Sequence, residues 1–219
     1  MQRAYVVVSP GPGFDEIFRK LGAQIIVGGG DTMNPPTEAF LDPIKACKAK
    51  AFIVFPNNKN IIMAAQQAAD LIDKDVHVLN ARHPVQAISA LVQLASCGPD
   101  DDCIAVANQA IDATDFFAVT CATKNATVSG MLVHEGDYML LVDDKLVGLG
   151  QSVEGALVHL SESPLTWDDK SLVSVYRGVD VAEAPFDALV ATLTQQFPGL
   201  EIQSYYGGQA FYGVVGSIE

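Results

Sequence analysis

The chain has 219 residues, 49% of them hydrophobic, and its 26 acidic against 13 basic side chains give a formal net charge of −13. That length can bury a sizeable core in one domain or in two lobes, and the composition is typical of a folded protein. The negative charge repels phosphate backbones and anionic lipid surfaces, which argues against nucleic acid as a partner and against membrane insertion. No apolar run approaches the roughly 20 residues of a membrane-spanning helix, and the N-terminus lacks a signal-peptide pattern, so we expect a cytoplasmic protein.

The first half of the chain alternates short apolar runs with amphipathic segments. The runs lack polar and apolar alternation, which is typical of parallel strands covered on both faces; they are YVVV (5–8), QIIV (24–27), AFIVF (51–55) and VHVL (76–79). Two of the intervening helices carry apolar stripes, composed of Ile61, Ala65, Ala68 and Ile72 in one and of Ile88, Leu91, Val92 and Ala95 in the other. We therefore predict an α/β fold whose first lobe, residues 1–112, is a Rossmann-like, doubly wound parallel sheet that binds ligands beyond the carboxyl ends of its strands.

The second half, residues 113–219, has a different pattern. The segments HEGD (134–137) and VDDK (142–145) are typical of tight turns between antiparallel strands. A later helix carries an apolar stripe composed of Phe186, Leu189, Val190, Leu193 and Phe197. The sequence thus predicts a mixed or antiparallel α+β second lobe.

Cysteine and histidine spacing gives no sign of a metal site. Cys47, Cys97, Cys103 and Cys121 lie at no metal-binding or redox spacing, and a chain of this length does not need disulfides to fold. We expect reduced, mostly buried thiols and no bound metal.

The glycine-rich stretch VGGGDTMNPPTEAF (27–40) follows the second predicted strand. It lacks the lysine of a Walker loop and the glycine spacing of a dinucleotide-binding turn, so a nucleotide cradle is disfavoured. Asn34 before Pro35 suits a helix N-cap with proline at the first helical position. The hydroxyls of Thr32 and Thr37, beside a helix N-terminus, could instead bind a carboxylate or phosphate oxygen.

The segment PNNKN (56–60) repeats this arrangement after the third strand. Asn57 or Asn58 would cap a helix that begins near Lys59. Alternatively, the helix N-termini near Asn34 and Asn58 converge over adjacent strand ends and form an anion pocket to which Lys59 adds charge.

Near the C-terminus, YYGGQAFYG (205–213) concentrates aromatic residues and glycines. Core and turn packing would explain the segment. Tyr205, Tyr206, Gln209 and Tyr212 would equally suit a binding rim or a protein interface, and both interpretations stay open.

The strings GGGDTMNPPTEAF, PNNKNIIMAAQQAADL, HEGDYMLLVDDKLV and YYGGQAFYGVVGSIE together carry a family resemblance. The chain resembles, from about Tyr5 to Glu219, the C-terminal region of the A-type subunit of bacterial fatty acid kinases, a family also described as dihydroxyacetone-kinase-related. The resemblance implies a two-lobed, DegV-like fold. That fold is shared with the B-type partner of the kinase, the fatty-acid-binding subunit, which holds the fatty acid whose carboxylate is phosphorylated.

The resemblance also implies a division of labour. ATP and Mg²⁺ would bind in a separate N-terminal domain that this chain does not contain, so we expect no cofactor in it and no activity of the chain alone. Its expected partner is the fatty-acid-binding subunit, with homo-oligomerisation through the parent kinase protein, in lipid metabolism and phospholipid synthesis.

Three ligand-binding turns of lipid-binding DegV proteins can be compared with this chain. Their T-S-Q-P-S resembles TMNPP, in which Thr32 is kept, Met33 and Pro36 replace the serines, and Thr37 follows one step later. Their S-S-G-L-S-G-T corresponds to PNNKN, which has no serine, and Tyr205 replaces the histidine of H-T-G-P-G. These departures favour a docking or assembly role; a DegV-like protein that binds a fatty acid or another anion is the alternative.

Overall fold

The computed structural model describes residues 3–30, 33–98 and 101–219. It divides into two compact units, Met1–Thr114 and Asp115–Glu219. The boundary lies two residues beyond the one expected after residue 112, because the last helix of the first unit runs to Ala113. Thr114 then ends this helix, with its Oγ1 donating to the Ala110 carbonyl oxygen at 2.8 Å.

The first unit is built on a four-stranded parallel sheet in the order β2-β1-β3-β4, formed by β1 (Arg3–Ser9), β2 (Ile25–Gly28), β3 (Ala51–Phe55) and β4 (Asp75–Val78). Five helices accompany it: α1 (Pro12–Lys20), α2 (Glu38–Ala46), α3 (Ile62–Asp70), α4 (Pro84–Leu94) and α5 (Cys103–Ala113), with a 3₁₀ turn at Lys59–Ile61. The four predicted strands and the α/β class are confirmed. No helix in the described ranges combines the length and apolarity that crossing a bilayer requires.

The core of the first unit packs helices α2 and α3 against the central strands. Its fully buried members include Val6, Val8, Phe40, Ile44, Phe52, Val54 and the stripe Ile61, Ala65, Ala68 and Ile72. The α3 stripe predicted from the sequence is therefore confirmed. For α4 the predicted stripe is wrong in phase: Val92 is 49% exposed, whereas Val85, Ala87 and Ala90 are buried.

Helix α2 begins later than the sequence predicts. Its first residue is Glu38 and its N-terminal flanking residue is Thr37, whose side chain makes no capping hydrogen bond. The expected cap at Asn34 with Pro35 at the first helical position is wrong. Because a residue before proline is driven out of the helical region, Pro36 keeps Pro35 extended and delays the helix.

Lys74 closes the other end of α2. Its ammonium donates to the carbonyl oxygens of Ile44 at 2.8 Å, Lys45 at 3.2 Å and Cys47 at 2.6 Å. A helix C-terminus carries unpaired carbonyls and partial negative charge, so a cation there is stabilising.

We therefore expect Lys74→Met to lower the free energy of unfolding by about 1–2 kcal/mol, because the carbonyls lose a charged donor. Urea unfolding followed by circular dichroism measures the change. Lys48→Met, at an exposed position, is the matched control and should change stability by less than about 0.5 kcal/mol. Equal losses in the two variants would contradict the capping role.

The cysteine prediction is wrong at one pair. Cys97 and Cys103 form a disulfide across a sequence separation of 6, with Cα atoms 6.0 Å apart. The chain reverses direction between the end of α4 and the start of α5, which brings these two residues together. Cys47 and Cys121 are free thiols, and Cys121 is exposed instead of buried.

The second unit contains a six-stranded sheet in the order β11-β10-β12-β5-β8-β9 and a separate hairpin, β6 with β7. The strands are β5 (Asp115–Cys121), β6 (Ala126–Val128), β7 (Met131–Val133), β8 (Tyr138–Val142), β9 (Lys145–Gly150), β10 (Leu172–Arg177), β11 (Glu201–Tyr206) and β12 (Tyr212–Ile218). The helices are α6 (Val153–Leu157), a 3₁₀ turn (Val158–Glu162) and α7 (Glu183–Gln196). Only β10 and β11 pair in parallel in the large sheet, so the predicted mixed α+β lobe is confirmed.

Helices α6 and α7 supply the helical side of this unit's core. Phe186, Leu189, Leu193 and Phe197 are buried as predicted, against sheet residues such as Phe117, Val175 and Val214. The VDDK turn is a two-residue hairpin in which Asp143 and Asp144 have φ angles of 47° and 67°. This pair of left-handed residues is what a tight hairpin requires.

The HEGD turn is held by the carboxylate of Asp137. Its Oδ2 accepts from the His134 main-chain N–H at 2.8 Å, and its Oδ1 accepts from Gln151 Nε2 at 2.9 Å. These hydrogen bonds, the one from the His134 backbone first, lower the pKa of Asp137 below its ordinary value of 3.8.

This shift predicts a pH dependence of stability. A carboxyl group whose pKa is lower in the folded chain stabilises it above the unfolded pKa, and that contribution is lost as the pH falls through the folded value. We expect the melting temperature of Asp137→Asn to fall less than that of the wild type between pH 6 and pH 3. Asp187→Asn, on the exposed face of α7, should follow the wild type; parallel curves for all three proteins would contradict the assignment.

Candidate functional site

The carboxyl ends of the parallel strands in the first unit form the candidate ligand site. In the order β2-β1-β3-β4 the sheet changes winding direction between β1 and β3. Open α/β sheets bind ligands at this point, because the loops that leave the two strands diverge and leave a crevice. Ser9 ends β1 there, and Asn57 lies two residues after β3.

The glycine-rich turn after β2 is folded back over the end of β1. The N–H of Gly29 donates to the Ser9 carbonyl oxygen at 2.9 Å, and the N–H of Asn34 donates to the Gly29 carbonyl oxygen at 3.1 Å. A Cβ on Gly29 would overlap the Met33 sulfur and lie 3.1 Å from the Ser9 carbonyl oxygen. Gly30 adopts a φ of 61°. The glycines therefore serve close backbone packing, which agrees with the exclusion of a nucleotide cradle.

Asn57 joins the two strands that flank the change in winding direction. It is 2% exposed, adopts a φ of 57°, and its Nδ2 donates to the Val8 carbonyl oxygen at 2.8 Å. Its Oδ1 is buried and has no hydrogen-bond partner. A buried acceptor without a partner favours a hydrogen-bond donor beside it and disfavours a carboxylate oxygen.

Asn58 connects the two predicted turns. Its Oδ1 accepts from the Asn60 N–H at 2.9 Å, which caps the 3₁₀ turn before α3 as predicted. Its Nδ2 donates to the Met33 carbonyl oxygen at 2.9 Å. The loops after β2 and β3 therefore meet at one edge of the sheet.

The remaining predicted ligand residues are less closely grouped. Asn34 and Lys59 are exposed, and Thr37 is half-buried. Thr32 lies outside the described residues. An anion-binding role for these residues stays a prediction.

The second unit presents an exposed aromatic surface, which we define as Tyr205, Tyr206, Phe211 and Tyr212, with exposed fractions of 41%, 44%, 61% and 40%. These residues lie at the end of the large sheet where β10 and β11 end and β12 begins. Phe211 was not among the predicted interface residues. Its φ of 63° directs it into solvent, and no sequence signal marks such a turn for a phenylalanine.

Gln209, predicted as an interface residue, is buried and 2% exposed. Its Nε2 donates to the carbonyl oxygens of Tyr176 at 3.0 Å and Tyr212 at 3.3 Å. This correction follows from the loop that begins at Gly207 and folds back over β10, which turns the amide inward. Gln209 supports the aromatic surface from beneath and is not part of it.

Neighbouring side chains hold two of the tyrosines in place. The ring of Tyr205 stacks on Tyr176 with centroids 5.3 Å apart, and the guanidinium of Arg177 lies 5.0 Å from the ring centroid of Tyr206. Arg177 is itself fixed by donating to the Val181 carbonyl oxygen at 2.7 Å. Burial, followed by the neighbouring Tyr205, raises the pKa of Tyr176, so its phenol is neutral at physiological pH.

Comparison with known proteins gives matches over the full described fold. The profile of the FakA-like C-terminal family, which describes the C-terminal region of proteins like the A-type subunit of fatty acid kinase, matches residues 4–219. An uncharacterized protein of Staphylococcus aureus strain MRSA252 is 32% identical over 219 residues, which cover 100% of this chain and 40% of that protein. The chain thus spans about 40% of the length of the curated relatives it matches.

Solved structures share the fold at low sequence identity. A DegV family protein from Thermus thermophilus, described for its fatty acid binding, has a TM-score of 0.66 and 13% identity, with 100% of both chains covered. The fatty acid kinase B3 protein of Streptococcus pneumoniae, loaded with linoleic acid, has a TM-score of 0.63 and 11% identity, with 100% and 99% covered. The predicted DegV-like fold is confirmed. This chain belongs to the FakA-like C-terminal family of fatty acid kinase proteins.

Proposed function

We propose that this chain is a non-catalytic, cytoplasmic module that docks the fatty-acid-binding subunit of a fatty acid kinase and so helps to assemble the enzyme. In this proposal ATP and Mg²⁺ bind outside the chain, and the chain alone turns over no nucleotide. The observation that carries the proposal is the family match over residues 4–219, combined with an exposed aromatic surface.

The site at the strand ends supports docking over fatty acid capture. The side-chain donors of Ser9, Asn57 and Asn58 each have a main-chain carbonyl as partner: Gly11 at 3.1 Å, Val8 at 2.8 Å and Met33 at 2.9 Å. The buried atom left without a partner there is an acceptor, Asn57 Oδ1. A carboxylate needs donors, so this arrangement suits it poorly.

The aromatic surface supports docking directly. Exposed tyrosine and phenylalanine side chains are enriched at the energetic centres of interfaces, and they bind best when their conformations are already fixed. The stack of Tyr205 on Tyr176 and the contact of Arg177 with Tyr206 supply that fixation.

The proposal is tested by competition. A complete kinase, with its fatty-acid-binding subunit loaded and with ATP and Mg²⁺, is assayed for acyl phosphate formation in the presence of increasing amounts of this chain. We expect inhibition, because the chain withdraws the fatty-acid-binding subunit from the enzyme. Full activity at a large molar excess of the chain would overturn the proposal.

Matched variants show whether the aromatic surface is responsible. The double variant Tyr206→Ala and Phe211→Ala should lose the inhibition. Met63→Ala removes a 72% exposed apolar side chain from the first unit and should retain it.

Ligand binding is the second candidate function, and one observation favours it. Two loops meet over the point at which the sheet changes winding direction, and they enclose the unpartnered Asn57 Oδ1. Thermal unfolding with hexadecanoate, hexadecan-1-ol and inorganic phosphate separates the ligand classes. Stabilisation by hexadecanoate would support a retained fatty acid site, stabilisation by the alcohol alone would support a donor-binding site, and no shift with any of them would reject this candidate.

A further inference from the structure

Strand β11 is an open edge of the large sheet. Among the described residues it pairs only with β10. The N–H groups of Glu201 and Gly207 donate to the carbonyl oxygens of Ser171 and Arg177. Because main-chain groups alternate in direction along a strand, those of Ile202, Ser204 and Tyr206 point away from the sheet.

This edge has little of the protection that sheet edges carry. Proteins block such strands with lysine, proline, bulges or inward-pointing charges. The sequence of β11, EIQSYY, contains no lysine or proline, and its pairing with β10 is continuous over all six residues. Its final residues, Tyr205 and Tyr206, are exposed members of the aromatic surface.

The shape of the edge is fixed in advance. Tyr205 Oη donates to Gln203 Oε1 at 2.5 Å, and Gln203 Nε2 donates to Glu201 Oε1 at 2.7 Å, so one face of the strand carries a chain of hydrogen bonds. On the helical side, Ile202 packs against the core of the second unit. An incoming strand therefore meets an ordered template and does not have to order one.

The charge of the second unit indicates the chemistry of a partner. Residues 115–219 contain 14 acidic and 4 basic side chains, a net charge of −10, whereas the first unit contributes −3 to the total of −13. Potentials of opposite sign accelerate and orient association, and like charges oppose it. A second copy of this chain would bring two such units together and is electrostatically disfavoured.

We infer that β11 is a docking edge that accepts an extended segment flanked by lysine or arginine from the partner protein, which adds as a seventh strand to the sheet. The inference rests on the proposed function, since it takes that partner to be the fatty-acid-binding subunit. Main-chain hydrogen bonds from Ile202, Ser204 and Tyr206 would carry the affinity, and the two tyrosines would supply side-chain contacts.

A proline variant tests the strand addition. Ser204→Pro removes an outward-pointing N–H and leaves the pairing with β10 in place, since proline is tolerated on the open side of an edge strand. Ser204→Ala keeps the N–H and is the matched control. Isothermal titration with the loaded fatty-acid-binding subunit should show at least a tenfold weaker complex for Ser204→Pro and a less than twofold change for Ser204→Ala. Melting temperatures of both variants establish that each is folded.

Amide hydrogen exchange gives an independent readout on the wild-type chain. When the fatty-acid-binding subunit is added, the amides of Ile202, Ser204 and Tyr206 should gain protection, whereas those of Gln203 and Tyr205 should be protected before and after.

The outcomes separate the two proposals. No binding of the wild-type chain to the fatty-acid-binding subunit overturns the proposed function. Binding that survives Ser204→Pro unchanged, or that leaves the outward amides unprotected, overturns the docking edge alone. Binding that is lost with Ser204→Pro while self-association of the chain is lost in parallel assigns the edge to a second copy and also overturns the inference.

Discussion

Replacing Gly178 with alanine is expected to lower the free energy of unfolding of the second unit by about 3 kcal/mol or more. Gly178 follows β10, and a Cβ there would overlap the Tyr212 carbonyl oxygen and lie 3.0 Å from that of Gln209 and 3.1 Å from that of Gly213. All three atoms are main chain and cannot rotate away. The strain therefore falls on the loop that carries the aromatic surface.

Urea unfolding measures the loss, and the complex with the fatty-acid-binding subunit should weaken in parallel, because the loop must shift to admit the methyl group. Gly199→Ala is the matched control, since a Cβ at Gly199 meets no atom within 4 Å. A stability of Gly178→Ala equal to that of the control would show that the approach of this loop to β10 is wrong.

The second large effect is expected at Asn57. Asn57→Ala leaves the buried Val8 carbonyl without its side-chain donor and places alanine at a φ of 57°. Together these changes should cost about 2–4 kcal/mol. Asn57→Gly loses the same hydrogen bond but accepts the left-handed backbone, so it should cost about 1 kcal/mol less than the alanine variant.

Thermal and urea unfolding of both variants measure these differences. A glycine variant as unstable as the alanine variant would show that the backbone conformation contributes nothing. Wild-type stability in both would contradict the bridge between β1 and β3.

The fold was accessible to sequence analysis wherever a segment is long and regular. The unbroken apolar runs at 5–8 and 51–55 could only be strands covered on both faces, and they form the centre of the sheet. The Ile61 to Ile72 stripe was equally clear because it repeats at helical spacing over three turns. The antiparallel hairpin at Asp143 and Asp144 followed from its turn residues.

Failures occurred where local signals compete or where tertiary structure decides. At Asn34 the capping signal was outweighed by two consecutive prolines, which keep the backbone extended until Thr37. The Cys97–Cys103 bond depends on the reversal between α4 and α5, which no spacing rule reveals. Val92 was placed on the buried face of α4 because nearly every position of that helix is apolar, so its periodicity does not define one face.

The candidate sites were partly predictable for the same reason. PNNKN and the glycine-rich turn were located correctly because the ends of parallel strands share one edge of a sheet. The inward orientation of Gln209 and the contact of Arg177 with Tyr206 depend on strand register, which is set by tertiary pairing. Glycine and aromatic composition alone could not separate the exposed residues from the buried amide beneath them.

The central claim is that this chain docks the fatty-acid-binding subunit without catalytic activity of its own. Isothermal titration of the chain with that subunit in its loaded form, at low and at high salt, tests the claim most directly. The account predicts a one-to-one complex with a dissociation constant in about the micromolar range or tighter. The −10 charge of the second unit predicts that affinity falls as salt increases. No detectable complex at concentrations of about 100 µM would contradict it.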